Sequence, residues 1–284
     1  MPLSVVVEGV LAQDTTFFAS TGRALYGWVL ERMRTVDPGA TAHLHDDGGL
    51  KPLTVSPLQG PLTSAGRGRV HAVRGAVLWM RVTALEPETE ALLTAALAGA
   101  AGSTLDAAGV RLTQLRVLTS ASEHRWAGSV SSQELFDTAL GAAPRETLSL
   151  RFLSPTTFRT PQGNLPFPLP SLVFRTLTEK WNQFTPIDLG RFLEPLETGV
   201  RVQSYECRTQ RLHLGQHGEI GFVGTVSLDL RGLGDPLLAQ ITACLGAYAF
   251  FSGVGAKTTM GFGQACAEVP LSQAVPAAGK GVGA

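Results

Sequence analysis

Two segments hold the residue types that could do chemistry. Residues 42–57, Ala-His-Leu-His-Asp-Asp-Gly-Gly-Leu-Lys-Pro-Leu-Thr-Val-Ser-Pro, set His43 and His45 beside Asp46 and Asp47, with Lys51 a short way beyond. An imidazole gains and loses its proton near neutral pH, so the segment suits proton transfer. Two adjacent carboxylates without a third ligand make a poor metal site, and on residue types alone His45 reads as a loop histidine whose charge the aspartates balance. Residues 253–263, Gly-Val-Gly-Ala-Lys-Thr-Thr-Met-Gly-Phe-Gly, offer something different. Gly253, Gly255, Gly261 and Gly263, with Lys257, Thr258 and Thr259 between them, supply unhindered backbone N–H groups and one cation, which suits a phosphate chain lying close to the main chain. A Walker A loop is excluded, because that motif wants glycine at the positions held here by Ala256 and Phe251. The plain alternative is a turn that only joins a helix to a strand.

Charge does not advertise a partner globally. Lys plus Arg and Asp plus Glu both number 23, so the formal charge is zero and nucleic-acid binding would have to come from local patches. One patch is visible: residues 51–85 contain no acid but include Arg67, Arg69, Arg74, Arg81 and His71. A softer one, residues 151–211, carries seven arginines and Lys180 against five acids. Both also read as ordinary solvated faces, and Arg175 and Lys180 as helical surface residues. Cys207, Cys244 and Cys266 are odd in number and widely spaced, which predicts buried free thiols rather than a disulfide or zinc site. The first residues lack the charged and apolar regions of a secretory signal, and no apolar run approaches the roughly 18 residues of a membrane span. The expectation is a soluble, cytoplasmic protein with no membrane contact and no cofactor.

The elements that must position these residues recur in one order. Apolar periodicity predicts a strand at 3–11, a helix at 22–34, strands at 53–58, 70–73 and 76–83 with a tight turn at Arg74-Gly75, a helix at 86–98 and a strand at 110–118. The second half predicts a strand at 148–153, a proline-rich loop at 154–170, a helix from an N-cap at Ser171 to Phe184, and a hairpin of 200–214 and 220–230 turning at Gln216-His217-Gly218. Asp235-Pro236 opens a helix to Phe251, and 262–269 is a last strand. Each half approximates β-α-β-β-α-β, an α+β fold of two tandem ferredoxin-like domains with antiparallel sheets. The expected division is 1–142 and 143–270, with 271–284 a disordered tail.

A glycine-rich loop of this composition, between the last helix and last strand of a second ferredoxin-like domain, resembles the signature loop of the RAMP superfamily of CRISPR-associated proteins. Within it the chain is most similar to the endoribonuclease that cuts precursor CRISPR RNA inside each repeat, the sixth Cas protein family. The segment from Ala42 to Pro57, Leu-Ser-Pro-Thr-Thr-Phe at 153–158 and Pro-Ser-Leu-Val-Phe-Arg at 170–175 carry the similarity further.

The resemblance implies metal-independent cleavage in which RNA supplies its own 2′-OH nucleophile and leaves a 2′,3′-cyclic phosphate and a 5′-OH. It implies His45 rather than His43 as the catalytic histidine, with Lys51 nearby. Family members add a tyrosine from the first helix; here Leu30 holds that position, with Tyr26 one turn earlier on the same face. Gly253, Gly255, Lys257, Thr258, Gly261 and Gly263 are expected to hold the RNA backbone. Arg67, Arg69 and Arg74 would position the strand, and Arg201, Arg208 and Arg211 would enter a groove of the stem. The expected partners are the precursor crRNA repeat hairpin, retained after cutting, and other Cas proteins of an interference complex. The rival readings are a catalytically inactive RAMP subunit holding crRNA structurally, and an RNA-recognition-motif protein, whose aromatic signature is missing here.

Overall fold

A computed structural model describes residues 1–46, 49–214 and 217–268, without the side chains of His43, His45, Asp46, His213, Leu214 and His217. The predicted hairpin turn at Gln216 and the tail beyond Glu268 lie outside the described residues.

The first half runs β1 (Leu3–Leu11), β2 (Thr15–Phe18), α1 (Gly22–Val36), α2 (Pro38–Asp46), β3 (Leu53–Val55), β4 (Thr63–Gly66), β5 (Arg69–Ala72), β6 (Val77–Ala84), α3 (Pro87–Ala98), β7 (Leu105–Ala107), β8 (Val110–Leu118), β9 (Gly128–Ser129) and α4 (Ser132–Gly141). Its main sheet is antiparallel in the order β3-β6-β1-β8-β7, with β9 paired to the start of β1. Along β1 the side chains alternate: Leu3, Val5 and Val7 meet Leu25, Val29 and Met33 of α1 and Leu93 and Leu97 of α3, while Val6 points to the opposite face with Leu118 and Trp126.

The second half runs β10 (Thr147–Thr156), β11 (Phe158–Thr160), β12 (Gly163–Leu165), α5 (Pro170–Phe184), α6 (Leu193–Gly199), β13 (Arg201–Leu214), β14 (His217–Asp229), α7 (Pro236–Ser252) and β15 (Ala265–Ala267). Its sheet has the order β13-β14-β10-β15. Both main sheets therefore place the strand before the first helix between the third and fourth strands of the motif, the ferredoxin-like arrangement. Asp235 caps α7, its Oδ1 accepting from Leu237 N at 2.8 Å, ahead of Pro236. Helix α7 is apolar on every side because it is covered on every side. Ile241, Leu245 and Tyr248 belong to the second core, the Phe250 ring stacks on Trp126 at 5.5 Å, and Phe251 O accepts from Thr83 Oγ1 at 2.7 Å.

Several expectations are corrected. Residues 70–73 and 76–83 do not form a hairpin: Asp14 Oδ1 takes Arg74 N at 2.7 Å, and β5 turns away to pair with β2 and β4 in a separate three-stranded sheet. The proline-rich loop contains the β11-β12 hairpin. Ser171 is not an N-cap, since Pro170 already occupies the first turn and Leu169 precedes it. The strands predicted at 53–58 and 262–269 shorten to Leu53–Val55 and Ala265–Ala267. Three helices, α2, α4 and α6, were not predicted; Leu135 and Ala139 of α4 pack into the second core, across the expected boundary. Cys244 is buried, whereas Cys207 and Cys266 are half-buried; all three are free thiols, and burial raises each above the usual thiol range, Cys244 to about 12. No helix among the described residues is long and apolar enough to cross a membrane.

Candidate RNA interface and the segment facing it

The glycine-rich loop begins where α7 ends. Gly253, Gly255, Lys257, Gly261 and Gly263 all adopt positive φ, so the chain doubles back on itself within residues 253–263. Glycine is obligatory at two of these positions for reasons of space: a Cβ on Gly255 would stand 2.5 Å from Thr157 O, and one on Gly263 2.1 Å from Val254 O. Many of the amides expected to await a phosphate are used at home. Val254 N donates to Gly263 O, Ala256 N to Thr157 O, Gly263 N to Pro155 O and Gln264 N to Ser154 Oγ. The 3₁₀ turn Thr258–Met260 is itself largely buried, with Thr258 and Thr259 covered; the Lys257 side chain beside it keeps a partly exposed face.

Lys180 holds this turn from beneath, so it is not the surface residue its type predicts. Only 4% exposed, it donates from Nζ to Ser252 O at 2.8 Å and, at 3.4 Å each, to Gly253 O and Thr258 Oγ1. The ammonium thereby satisfies carbonyls at the C-terminal end of α7, where a positive charge is favoured. Burial pulls it down to about 7, opposed by the neighbouring Glu179 charge.

Above the turn lies a polar cluster. Lys257 pairs with Glu219 of β14, Asn164 Nδ2 of β12 donates to the same carboxylate at 2.7 Å, and Lys257 chiefly holds that carboxyl below the usual range, with Arg159 adding to the effect. The sequence does not single out Glu219, Asn164, Arg159 or Lys180 for this site, because residues 154–170, which form the β11-β12 hairpin that brings two of them, read there as a proline-rich loop.

The loop also reaches the first half. A Cβ on Gly22, the first residue of α1, would stand 2.5 Å from Met260 O and Gly261 N. Thr21 Oγ1 accepts from Leu58 N at 2.8 Å, tying the start of α1 to the chain that follows β3. Asp37 then ends α1 and starts α2: its carboxylate accepts from Ala40 N at 2.9 Å and its carbonyl from Thr41. Helix α2 folds back along α1, with Pro38, Thr41 and Ala42 across a 440 Å³ cavity from Gly27, Leu30, Glu31 and Arg34. His45 is thus on a helix rather than in a loop, one turn beyond Thr41; its side chain, with those of His43 and Asp46, and Asp47 altogether, lie outside the described residues.

Lys51 lines a second cavity of 350 Å³ with Leu44, Glu86, Glu88 and Phe184. Tyr26 is half-buried against the first core, and burial raises its hydroxyl pKa. Arg67, at the positive-φ turn between β4 and β5, is exposed, as are Arg69, whose guanidinium lies over the Phe18 ring at 5.4 Å, and Arg74. The hairpin β13-β14 runs past the last β10 pairing, Thr156 with Phe222, to Leu214 opposite His217, so its tip projects beyond the sheet. Arg208 and Arg211 are both exposed there, but three residues apart in a strand they address opposite faces. Arg201 lies at the other end of the strand and bonds the Thr198 and Val200 carbonyls. The three do not form one patch. Arg175 is spent on Glu197 at 2.8 Å. Among the described residues, no three His, Cys, Asp or Glu side chains converge as a metal site would need.

Two tandem ferredoxin-like units, the second with a glycine-rich loop wedged against the first helix of the first, define a RAMP-type CRISPR-associated protein. The family model described as CRISPR-associated endoribonuclease Cas6 matches residues 150–265. The Cas6 endoribonucleases of two Mycobacterium tuberculosis strains, CDC 1551 / Oshkosh and ATCC 25618 / H37Rv, are 30% identical over 117 residues; the match spans 40% of this chain and 36% of theirs. Solved structures extend the likeness to the whole fold. A Cas6 product complex is 30% identical with a TM-score of 0.78, covering 94% of this chain and 100% of that one. A Thermus thermophilus Cas6 gives 29% and 0.68, covering 94% and 98%. The chain belongs to the Cas6 family.

Proposed function

We propose that this protein cuts precursor CRISPR RNA within its repeat and then retains the product. The observation that carries the reading is the correspondence, over 94% of this chain, with a Cas6 whose structure is a product complex; a related Cas6 is solved with a substrate mimic and as a histidine-to-alanine mutant. The same reading divides the chain at 142/143, with chemistry in the first unit and the RNA-backbone clamp in the second, and has the protein working in the cytoplasm beside other Cas proteins of an interference complex.

The 2′-OH loses its proton as its oxygen attacks the adjacent phosphorus, and the 5′-oxygen leaves with a proton, giving a 2′,3′-cyclic phosphate and a 5′-OH. His45 is assigned the proton transfer. Lys51 stabilises the charge that builds on the phosphorane oxygens. Tyr26, kept protonated by its burial, is assigned the role of a hydrogen-bond donor. The partly exposed Lys257 beside the buried 3₁₀ turn holds backbone phosphate, and Arg67, Arg69, Arg74, Arg201, Arg208 and Arg211 meet the RNA at several separate places.

The test is incubation of the protein and a His45→Ala variant with the cognate repeat hairpin in EDTA, followed by end-group analysis. Cyclic-phosphate product from the wild type and none from the variant is the expected result. An intact RNA, or equal cutting by the variant, overturns the assignment; cutting that stops in EDTA and returns with Mg²⁺ overturns the metal-independent mechanism.

A further inference from the structure

We propose that Glu219 is a specificity gate, its carboxylate occupying on Lys257 the seat that an RNA phosphate takes when the repeat binds. The proposal rests on the reading of the glycine-rich loop as an RNA clamp.

Lys257 stands in the left-handed region at φ 59, directly before the 3₁₀ turn, which fixes where its side chain leaves the backbone. Its Nζ meets Glu219, whose carboxylate also takes the Asn164 amide and feels Arg159. One paired cation and an amide donor thus hold this carboxylate, and the Arg159 charge acts on it as well. A carboxylate and a phosphate oxygen are equivalent partners for such donors. The pair is not sealed in the core: Lys257 and Glu219 side chains are 18% and 21% exposed, and Glu219 stands on the stretch of β14 that outruns β10. A phosphate reaching Lys257 would lie against the Glu219 charge, so the carboxylate must yield.

Every RNA pays this displacement, but it is offset only by one whose shape delivers a phosphate squarely to the loop while its other contacts are made. A loosely held RNA gains less and is rejected. In a chain with no net positive field, an acid at the seat therefore discriminates by exclusion.

Binding of a repeat hairpin carrying a 2′-deoxy substitution at the cut site, and of an unrelated hairpin of equal length, is measured by fluorescence anisotropy for wild type, Glu219→Gln, Lys257→Met and the double variant. Glutamine keeps the size and the Asn164 contact, and the half-exposed site keeps the fold; thermal melts verify this. Glu219→Gln is expected to tighten the unrelated hairpin by about tenfold and the repeat by about threefold, with a salt slope steeper by about one ion. Lys257→Met weakens both, and in its background Glu219→Gln no longer tightens either. If Glu219→Gln weakens the repeat, the carboxylate only orients Lys257 and the gate is overturned. Tightening that persists without Lys257 makes the effect a general field, which overturns it too. If Lys257→Met changes nothing, the clamp reading itself fails, a result distinct from the other two.

Discussion

Gly22 and Gly261 press together across the two halves of the molecule: a Cβ on Gly22 would fall 2.5 Å from Gly261 N, and one on Gly261 3.3 Å from Gly22 Cα. Backbone on both sides leaves no flexible side chain to move aside. Gly22→Ala should therefore prise the loop from α1, at a cost of about 1–3 kcal/mol, seen as a fall in Tm of several degrees and weaker repeat binding. Gly27, in the middle of the same helix, has nothing within 4 Å of an added Cβ. Gly27→Ala should raise Tm, by about 0.5–1 kcal/mol of helix propensity. Equal behaviour of the two variants would show that the loop does not rest on α1 in solution.

Lys180 gives stability a pH dependence of known sign. Its folded value is depressed to about 7 by burial, against an ordinary value of 10.5. Below about 7 folded and unfolded chains both hold the proton, and the term is flat. Between the two values the unfolded chain keeps a proton that the folded one sheds, so unfolding takes up a proton and stability rises with pH. The Tm difference between wild type and Lys180→Met should accordingly grow in favour of wild type from pH 7 to 10. A difference that is constant, or that shrinks, would mean the ammonium stays charged on the α7 carbonyls throughout.

The strand and helix order was legible because its signals are local. The β-branched apolar run of Leu3–Leu11, the cap and proline at Asp235-Pro236, and the glycine spacing of the loop each report on a few neighbouring residues. What escaped was set by partners distant in sequence. Pro38 reads as a helix stop, yet Asp37 turns the stop into a new start by capping α2, and so carries His45 onto a helix. Arg74-Gly75 is a turn, but Asp14 decides which sheet receives β5. Lys180 and Arg81 carry the charge of surface residues and are buried, because the acceptors that hold them, Ser252 O and Gln264 Oε1, lie in segments far along the chain. Segment 42–57 stands out by its histidines, but residue types alone leave His45 a loop histidine and its proposed role comes from the resemblance, while the partners of Lys257 required the tertiary fold.

Tyr26 separates a supporting hydroxyl from an essential acid. It is half-buried on α1, and its raised pKa keeps the proton on the oxygen through the neutral range. Tyr26→Phe removes the hydrogen bond that the hydroxyl is proposed to give the RNA, and little packing. Single-turnover cleavage at saturating RNA should slow by about fivefold to tenfold, the worth of roughly 1 kcal/mol, with the shape of the pH-rate profile unchanged. A loss of a thousandfold would instead make Tyr26 a proton-transfer group; no loss at all would remove it from the site.

Arg81 and Gln264 pin the two sheets together at a place where charge is expensive. Arg81, 2% exposed, donates from Nε to Gln264 Oε1 at 3.0 Å and again from Nη2, while its guanidinium lies 5.1 Å from the Trp126 ring centroid and 4.9 Å from that of Phe250. Among the described residues no carboxylate pairs with it, and Arg81 Nη1 and Gln264 Nε2 find no partner; burial lowers Arg81 to about 10. Gln264→Leu strips the guanidinium of its acceptor and should cost about 3 kcal/mol, because a buried charge is then left uncompensated. Arg81→Met with Gln264→Leu replaces both polar groups by apolar ones of similar volume and should recover the loss, reaching or exceeding the wild-type Tm. Chemical denaturation of the two single variants and the double variant measures this as a coupling energy. Additive losses would mean that the pair contributes through separate contacts, and that the aromatic rings of Trp126 and Phe250, rather than Gln264, are what hold Arg81 in the interface.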